Sequence, residues 1–171
     1  NLGKFQNENN NITEDTYRKI ALGSLKYFIL KVDPKKRILF NPEESIDLSG
    51  NTGPFIQYTY ARIQSILNKI EKVETTKISG YKLNDKERDT IKSINRYNDI
   101  LNEAKDELSP AIICNYLYDL VKTFNSLYQN HNILNAETPD SIIIRTQISS
   151  LTSKVILNIT DLLGIELPDR M

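Results

Sequence analysis

Tyr58 and Arg62 stand four residues apart where Ile56, Ile63 and Leu67 keep the rhythm of a helix, so a ring and a guanidinium share one surface beside the apolar face. Such a pair can stack an unstacked nucleobase and donate hydrogen bonds to it. The same spacing suits an arginine stem lying over a half-buried tyrosine, and from spacing alone that packing is the favoured reading. Other chemistry is sparse. With one cysteine and one histidine there is no disulfide framework and no zinc cluster of the usual kind, and any Cys–His or Ser–His set would rest on His131. His131 lies between Asn130 and Asn132 at the expected end of a helix, so metal binding is not expected there. Cys114 sits one turn before Tyr118 among apolar residues, where a cysteine behaves as a small hydrophobe. Gly50-Asn51-Thr52-Gly53 precedes a helix and offers backbone N–H groups to a phosphate, but no Gly-Lys-Ser/Thr follows and Pro54 removes a donor. A structural turn is the favoured reading. Asn11-Ile12-Thr13 and Asn158-Ile159-Thr160 match a glycosylation tripeptide by chance in a chain without a secretory signal.

Helices must position these groups. Six glycines and six prolines in 171 residues leave room for few turns. A chain this long buries roughly 70% of its unfolded surface, so a true core is expected. The 22 basic and 22 acidic residues cancel, which indicates neither an acidic tail nor a globally basic nucleic-acid binder. Before and including Gly80 there are 12 basic and 9 acidic residues, and after it 10 and 13, so positive charge gathers in the first half. No apolar run approaches the roughly 20 residues that span a bilayer, and a soluble, cytoplasmic, monomeric protein is expected. The first residue is Asn1 and the only methionine is Met171, which suggests a piece of a longer chain.

Residues 1–13 are asparagine-rich and read as loop; Thr13 then caps a helix that ends before Pro34. Residues 31–37 collect four basic side chains, and residues 37–48 read as short extended pieces, an irregular or β segment. The turn at residues 49–54 launches a helix whose buried face is Ile56, Ile63, Leu67 and Ile70. After a polar connector over 72–80, Asn84-Asp85-Lys86-Glu87 resembles a capping box and starts one helix with the stripe Ile91, Ile94, Tyr97, Leu101 and Leu108. Ser109-Pro110 starts another, with Ile113, Leu117, Leu120, Phe124, Leu127 and Tyr128. Thr138-Pro139 starts the last, with Ile144, Ile148, Leu151, Val155, Ile159, Leu162 and Leu163, and Gly164 as its stop. The fold class is mainly α: an antiparallel helical bundle preceded by a helix and a short irregular or β segment.

Residues 47–63, Asp-Leu-Ser-Gly-Asn-Thr-Gly-Pro-Phe-Ile-Gln-Tyr-Thr-Tyr-Ala-Arg-Ile, resemble the segment of arginyl-tRNA synthetases where the catalytic domain hands over to the anticodon-binding domain. Ala21-Leu22-Gly23-Ser24-Leu25-Lys26-Tyr27-Phe28 is similar to the helix that follows the second ATP motif of that family. Asn115-Tyr116-Leu117-Tyr118-Asp119-Leu120, Phe124-Asn125-Ser126-Leu127-Tyr128 and residues 162–171 resemble later landmarks of its anticodon-binding domain. In the last helix the family often reads Arg-Leu-x-Leu, whereas Arg145-Thr146-Gln147-Ile148 stands here.

The resemblance implies two parts: residues 1–49, a remnant of the catalytic region like a stem-contact segment, and residues 50–171, a DALR-type helical anticodon-binding domain. It implies a partner, the anticodon loop of arginine tRNA with its middle cytosine, and no DNA or membrane. Gln57, Tyr58, Arg62, Tyr128, Asn132 and Met171 match the residues that line the pocket for flipped-out anticodon bases. The family's His-Ile-Gly-His and Lys-Met-Ser-Lys-Ser motifs are absent, so this segment has no catalytic residues, no metal site and no cofactor of its own. Arginine-tRNA ligation with ATP and magnesium would belong to the intact enzyme, in which a catalytic domain on the same chain is the other partner. A free-standing helical protein-interaction module is the alternative, and another class I synthetase is disfavoured by the Gly-Asn-Thr-Gly-Pro to Ala-Arg run.

Overall fold

Thr13 opens the first helix as its sequence requires, its side chain accepting from the amide of Thr16 while Glu14 and Asp15 sit at the positive end of the dipole. The computed structural model describes residues 13–70, 78, 80–168 and 171, and among them seven helices and no strand. These are α1 (Glu14–Leu30), α2 (Pro42–Ser45), α3 (Gly53–Leu67), α4 (Asp85–Asn95), α5 (Tyr97–Asp106), α6 (Pro110–Asn130) and α7 (Pro139–Leu162). The expected loop over residues 1–12 and most of the connector over 72–80 lie outside the described residues. No described helix is long and apolar enough to cross a membrane.

Two expectations need correction. The supposed extended or β segment over 37–48 contains α2 instead, because Asn41 accepts from the amides of Glu43 and Glu44 and Pro42 supplies a preset first turn. The single helix expected from Asn84 to Leu108 is broken at Arg96, whose amide turns back to the Ser93 carbonyl at 3.2 Å. Its stripe ends early. Leu108 has φ of 51° and is 82% exposed in the tight turn that closes α5 before Pro110, so it packs nothing. The capping box at Asn84 forms in both directions.

The residues 49–54 form a structural turn. Thr52 caps α3, its hydroxyl also donates to the Asp47 carbonyl, and the Asn51 side chain accepts from the Tyr27 hydroxyl at 2.7 Å. Gly53 then meets α1 backbone to backbone: a Cβ there would lie 2.5 Å from the Gly23 carbonyl oxygen. Only glycine permits that approach.

Helix α6 runs through the centre and touches α1, α3, α4, α5 and α7. Its Cys114, Leu117, Leu120, Val121 and Phe124 are fully buried, joined by Tyr27, Ile56, Ile63, Ile156 and Ile159. Burial pushes the Cys114 thiol up to about 12, so it stays protonated and inert at neutral pH. In α7 the expected stripe is buried at Ile148, Val155 and Ile159 but exposed at Leu151 and Leu162, while Ser149, Thr152, Ser153 and Thr160 are buried. Ser149, Thr152 and Thr160 each donate to the carbonyl four residues back, so a hydroxyl can face a neighbouring helix without an unmet hydrogen bond. Gly164, at φ 64°, closes α7, with the Ile165 amide returning to the Thr160 carbonyl at 2.8 Å. The tail folds back: the Glu166 carbonyl accepts from Gln57 and its carboxylate pairs with Arg18.

Arg145, part of the run that departs from the family pattern, is buried against the equally buried Glu87, Nε to Oε1 at 2.8 Å. Its other donors reach the Asn132 carbonyl at 2.7 Å and the exposed carboxylate of Glu137 at 2.9 Å. Glu137 is held below the usual carboxylate range by its own backbone N–H and then by Arg145, and Asp15 by Lys19 and then Arg18. A depressed folded-state pKa adds stability that is full above the ordinary carboxylate pKa and is lost as pH falls through the folded value. The melting temperature should therefore hold from neutral pH to about 5 and decline below about 4, near the ordinary carboxylate values. Adding Glu137→Gln and Asp15→Asn should flatten that decline; an unchanged acid limb would remove these two groups from the account.

Candidate nucleic-acid interface

Arg62 projects from α3 between two rings. Its guanidinium carbon lies 4.7 Å from the centre of the Tyr58 ring, one turn earlier, and 4.9 Å from that of Tyr128 on α6. Both tyrosines are half exposed. The orientation of the guanidinium is fixed from beneath, since Nη1 donates to Asn125 Oδ1 at 2.9 Å and Asn125 Nδ2 donates in turn to Thr59 Oγ1 at 2.9 Å. Thr59 closes the relay by donating to the Phe55 carbonyl. Arg62's acceptor is a neutral amide, so among the described residues no carboxylate pairs with Arg62. One of its five N–H donors is used by Asn125.

A cleft of about 600 Å³ opens beside this stack between Arg62 and Ser65 of α3, Lys69 just past its end, and residues 128–135, where α6 ends. Its wall carries Lys69, Gln129, Asn130 and His131, none singled out for this role in the sequence because each follows only from the way α6 ends against α3. Two positive side chains, amide donors and tyrosine faces suit a planar, polar, anionic ligand such as a nucleotide.

Of the six residues the resemblance marked, Tyr58, Arg62 and Tyr128 meet in one stack, and Tyr128 and Arg62 also line the cleft. Asn132 lines it too, although its Oδ1 is taken by the Asn135 amide at 2.9 Å, which leaves the side-chain NH₂ to act. Gln57 requires correction. One residue before Tyr58, it lies about 100° round the helix on the inner face. It is fully buried, with Nε2 donating to the Lys19 carbonyl at 3.0 Å and the Glu166 carbonyl at 2.8 Å. It ties α1 and the tail to α3. Met171 is half buried and is not among the residues lining the cleft.

Comparison with known proteins places this bundle in a family. Residues 56–171 match the family described as the DALR anticodon binding domain, and the chain belongs to that family. Over 99% of its length it is 51% identical to an arginine-tRNA ligase of Flavobacterium psychrophilum and 46% identical to one of Parabacteroides distasonis. It spans 28% and 29% of those two proteins, less than a third of each. The structure superposes on Thermus thermophilus arginyl-tRNA synthetase with a TM-score of 0.86 and 26% identity, covering 99% of this chain and 30% of that one. The corresponding values for the Plasmodium falciparum enzyme are 0.82 and 26%, over 96% and 29%.

Proposed function

We propose that this chain grips the anticodon loop of arginine tRNA for an arginine-tRNA ligase, and that Tyr58, Arg62 and Tyr128 take an unstacked anticodon base. The observation that carries the reading is the unneutralised guanidinium between two half-exposed rings, in a chain of an anticodon-binding family. Single-stranded RNA is read by splaying bases onto aromatic faces and arginine planes, which is the arrangement offered here. Lys69 and the side-chain NH₂ of Asn132 would serve the neighbouring phosphate or base edge. Ligation of arginine with ATP would be the work of the longer protein, whose remaining domain supplies the reacting groups. The division into residues 1–49 and 50–171 would then mark where the catalytic region ends, even though Tyr27 of the first part shares the core of the second.

Fluorescence anisotropy with end-labelled arginine tRNA tests this directly. Binding should weaken at least tenfold when the middle anticodon cytosine is replaced, and the logarithm of the affinity should fall linearly with that of salt concentration as counterions are released. Equal affinity for both tRNAs would reject the anticodon reading. Absence of salt-dependent tRNA binding altogether would favour a protein-binding module.

A further inference from the structure

Asn125 stands three residues before Tyr128 in α6, is buried, and is not among the residues lining the cleft. Thr59 of α3 is buried more completely still, at 0% exposure. The Thr59 hydroxyl has one proton, and that proton goes to the Phe55 carbonyl at 2.9 Å. Toward Asn125 the hydroxyl can therefore only accept. The Asn125 amide must present its NH₂ to Thr59, at 2.9 Å, and so its oxygen to Arg62 Nη1, also at 2.9 Å. A backbone carbonyl of α3 thus dictates, through two side chains, which end of the amide meets the guanidinium. Turned over, the amide would set its NH₂ against Nη1, donor against donor.

An anchor of this kind has a particular chemical use. A carboxylate in place of Asn125 would hold the guanidinium more strongly, but it would also cancel the charge. The amide fixes orientation and leaves the charge intact. Charge attracts a phosphate however the guanidinium is turned, whereas donation to a base edge weakens steeply as the N–H directions swing away. We propose that Thr59 and Asn125 are positioning residues for base selection, holding the Arg62 plane at the rotation in which its remaining donors meet the edge of the bound base. The proposal rests on the anticodon reading given above and assigns selectivity to two buried residues that make no contact with RNA themselves. Because the relay is already formed in the free protein, Arg62 gives up little side-chain freedom when a base arrives. Both residues are buried, so removing either also affects folding, and the test has to separate the two effects.

Fluorescence anisotropy does so in the full-length protein that contains this segment, with end-labelled arginine tRNA carrying cytosine or uracil at the middle anticodon position. The unmodified protein should prefer cytosine by about tenfold or more. Thr59→Val keeps the side-chain shape but removes the hydroxyl, and the preference should fall below about threefold. Thr59→Ser keeps the hydroxyl and should keep the preference. The decisive variant joins Thr59→Val to Asn125→Leu. It leaves no buried polar group unpaired, so the melting temperature should return toward that of the unmodified protein, while Arg62 still lacks its anchor and the preference stays lost. Recovery of the preference together with the melting temperature would overturn the proposal and make the relay a packing feature. An effect of Thr59→Val as large in an Arg62→Ala background as without it would also overturn it, since the relay must act through Arg62. Equal affinity of the unmodified protein for the two tRNAs is a separate failure, which rejects the anticodon reading and this proposal with it.

Discussion

Arg145→Met should cost about 3–5 kcal/mol of stability, because it strands the buried carboxylate of Glu87. Methionine fills the space but offers no donor, and the Asn132 carbonyl loses its 2.7 Å partner as well. At about 2–4 °C per kcal/mol for a chain of this size, the melting temperature should drop on the order of 10 °C. Adding Glu87→Gln should recover at least half of that loss. Glutamine's amide oxygen, placed where Oε2 sits, still accepts from the Tyr81 hydroxyl and the Asn84 amide, as Oε2 does at 3.1 and 3.0 Å, while no buried charge remains. Chemical denaturation of the two single variants and the double gives the coupling. Additive losses would mean that the pair contributes nothing beyond its parts.

Glu87 also shows how far the sequence could be read. Its place three residues after Asn84 announces a capping box, and the box is there. That the same carboxylate meets an arginine 58 residues away is a property of how α4 and α7 pack, and no local pattern encodes it. The same holds in α7, where periodicity of large apolar residues pointed to Leu151 and Leu162. Those two are exposed, and serines and threonines whose hydroxyls bond their own helix share the buried face with Ile148, Val155 and Ile159 of the same stripe. Starts and stops were the most legible features: Thr13, Thr52, Asn84, Thr138 and Gly164 cap helices by chemistry confined to a few residues. The break at Arg96 has no proline or glycine to announce it. For the candidate site, spacing placed Tyr58 and Arg62 together, whereas Tyr128, Asn125 and the cleft required α6 to lie against α3. Gln57 failed for a related reason, since adjacency in a motif says nothing about which side of a helix a residue occupies.

Tyr58→Ala should weaken tRNA binding by about 1–3 kcal/mol, roughly 5- to 150-fold in affinity, with the melting temperature nearly unchanged. The argument is that its ring is half exposed in the free protein and packs on Arg62 alone among the charged groups, so its removal uncovers no core. Tyr128→Ala should act similarly, because it forms the other face of the same stack. Arg62→Ala separates two possibilities that a single affinity cannot. If the guanidinium meets a phosphate, the slope of log affinity against log salt falls by about one and both middle-base variants of the tRNA weaken alike. If it donates to a base edge, the slope is kept and the preference for the middle cytosine relaxes. Arg62→Lys sharpens the comparison, since lysine keeps the charge but loses the planar fork that lies between the rings and reaches Asn125. Restoration by lysine would mean that charge alone matters, whereas failure to restore would mean that the plane does. A drop of several degrees in melting temperature for Tyr58→Ala with unchanged tRNA affinity would make the tyrosine–arginine stack a packing feature and remove it from recognition.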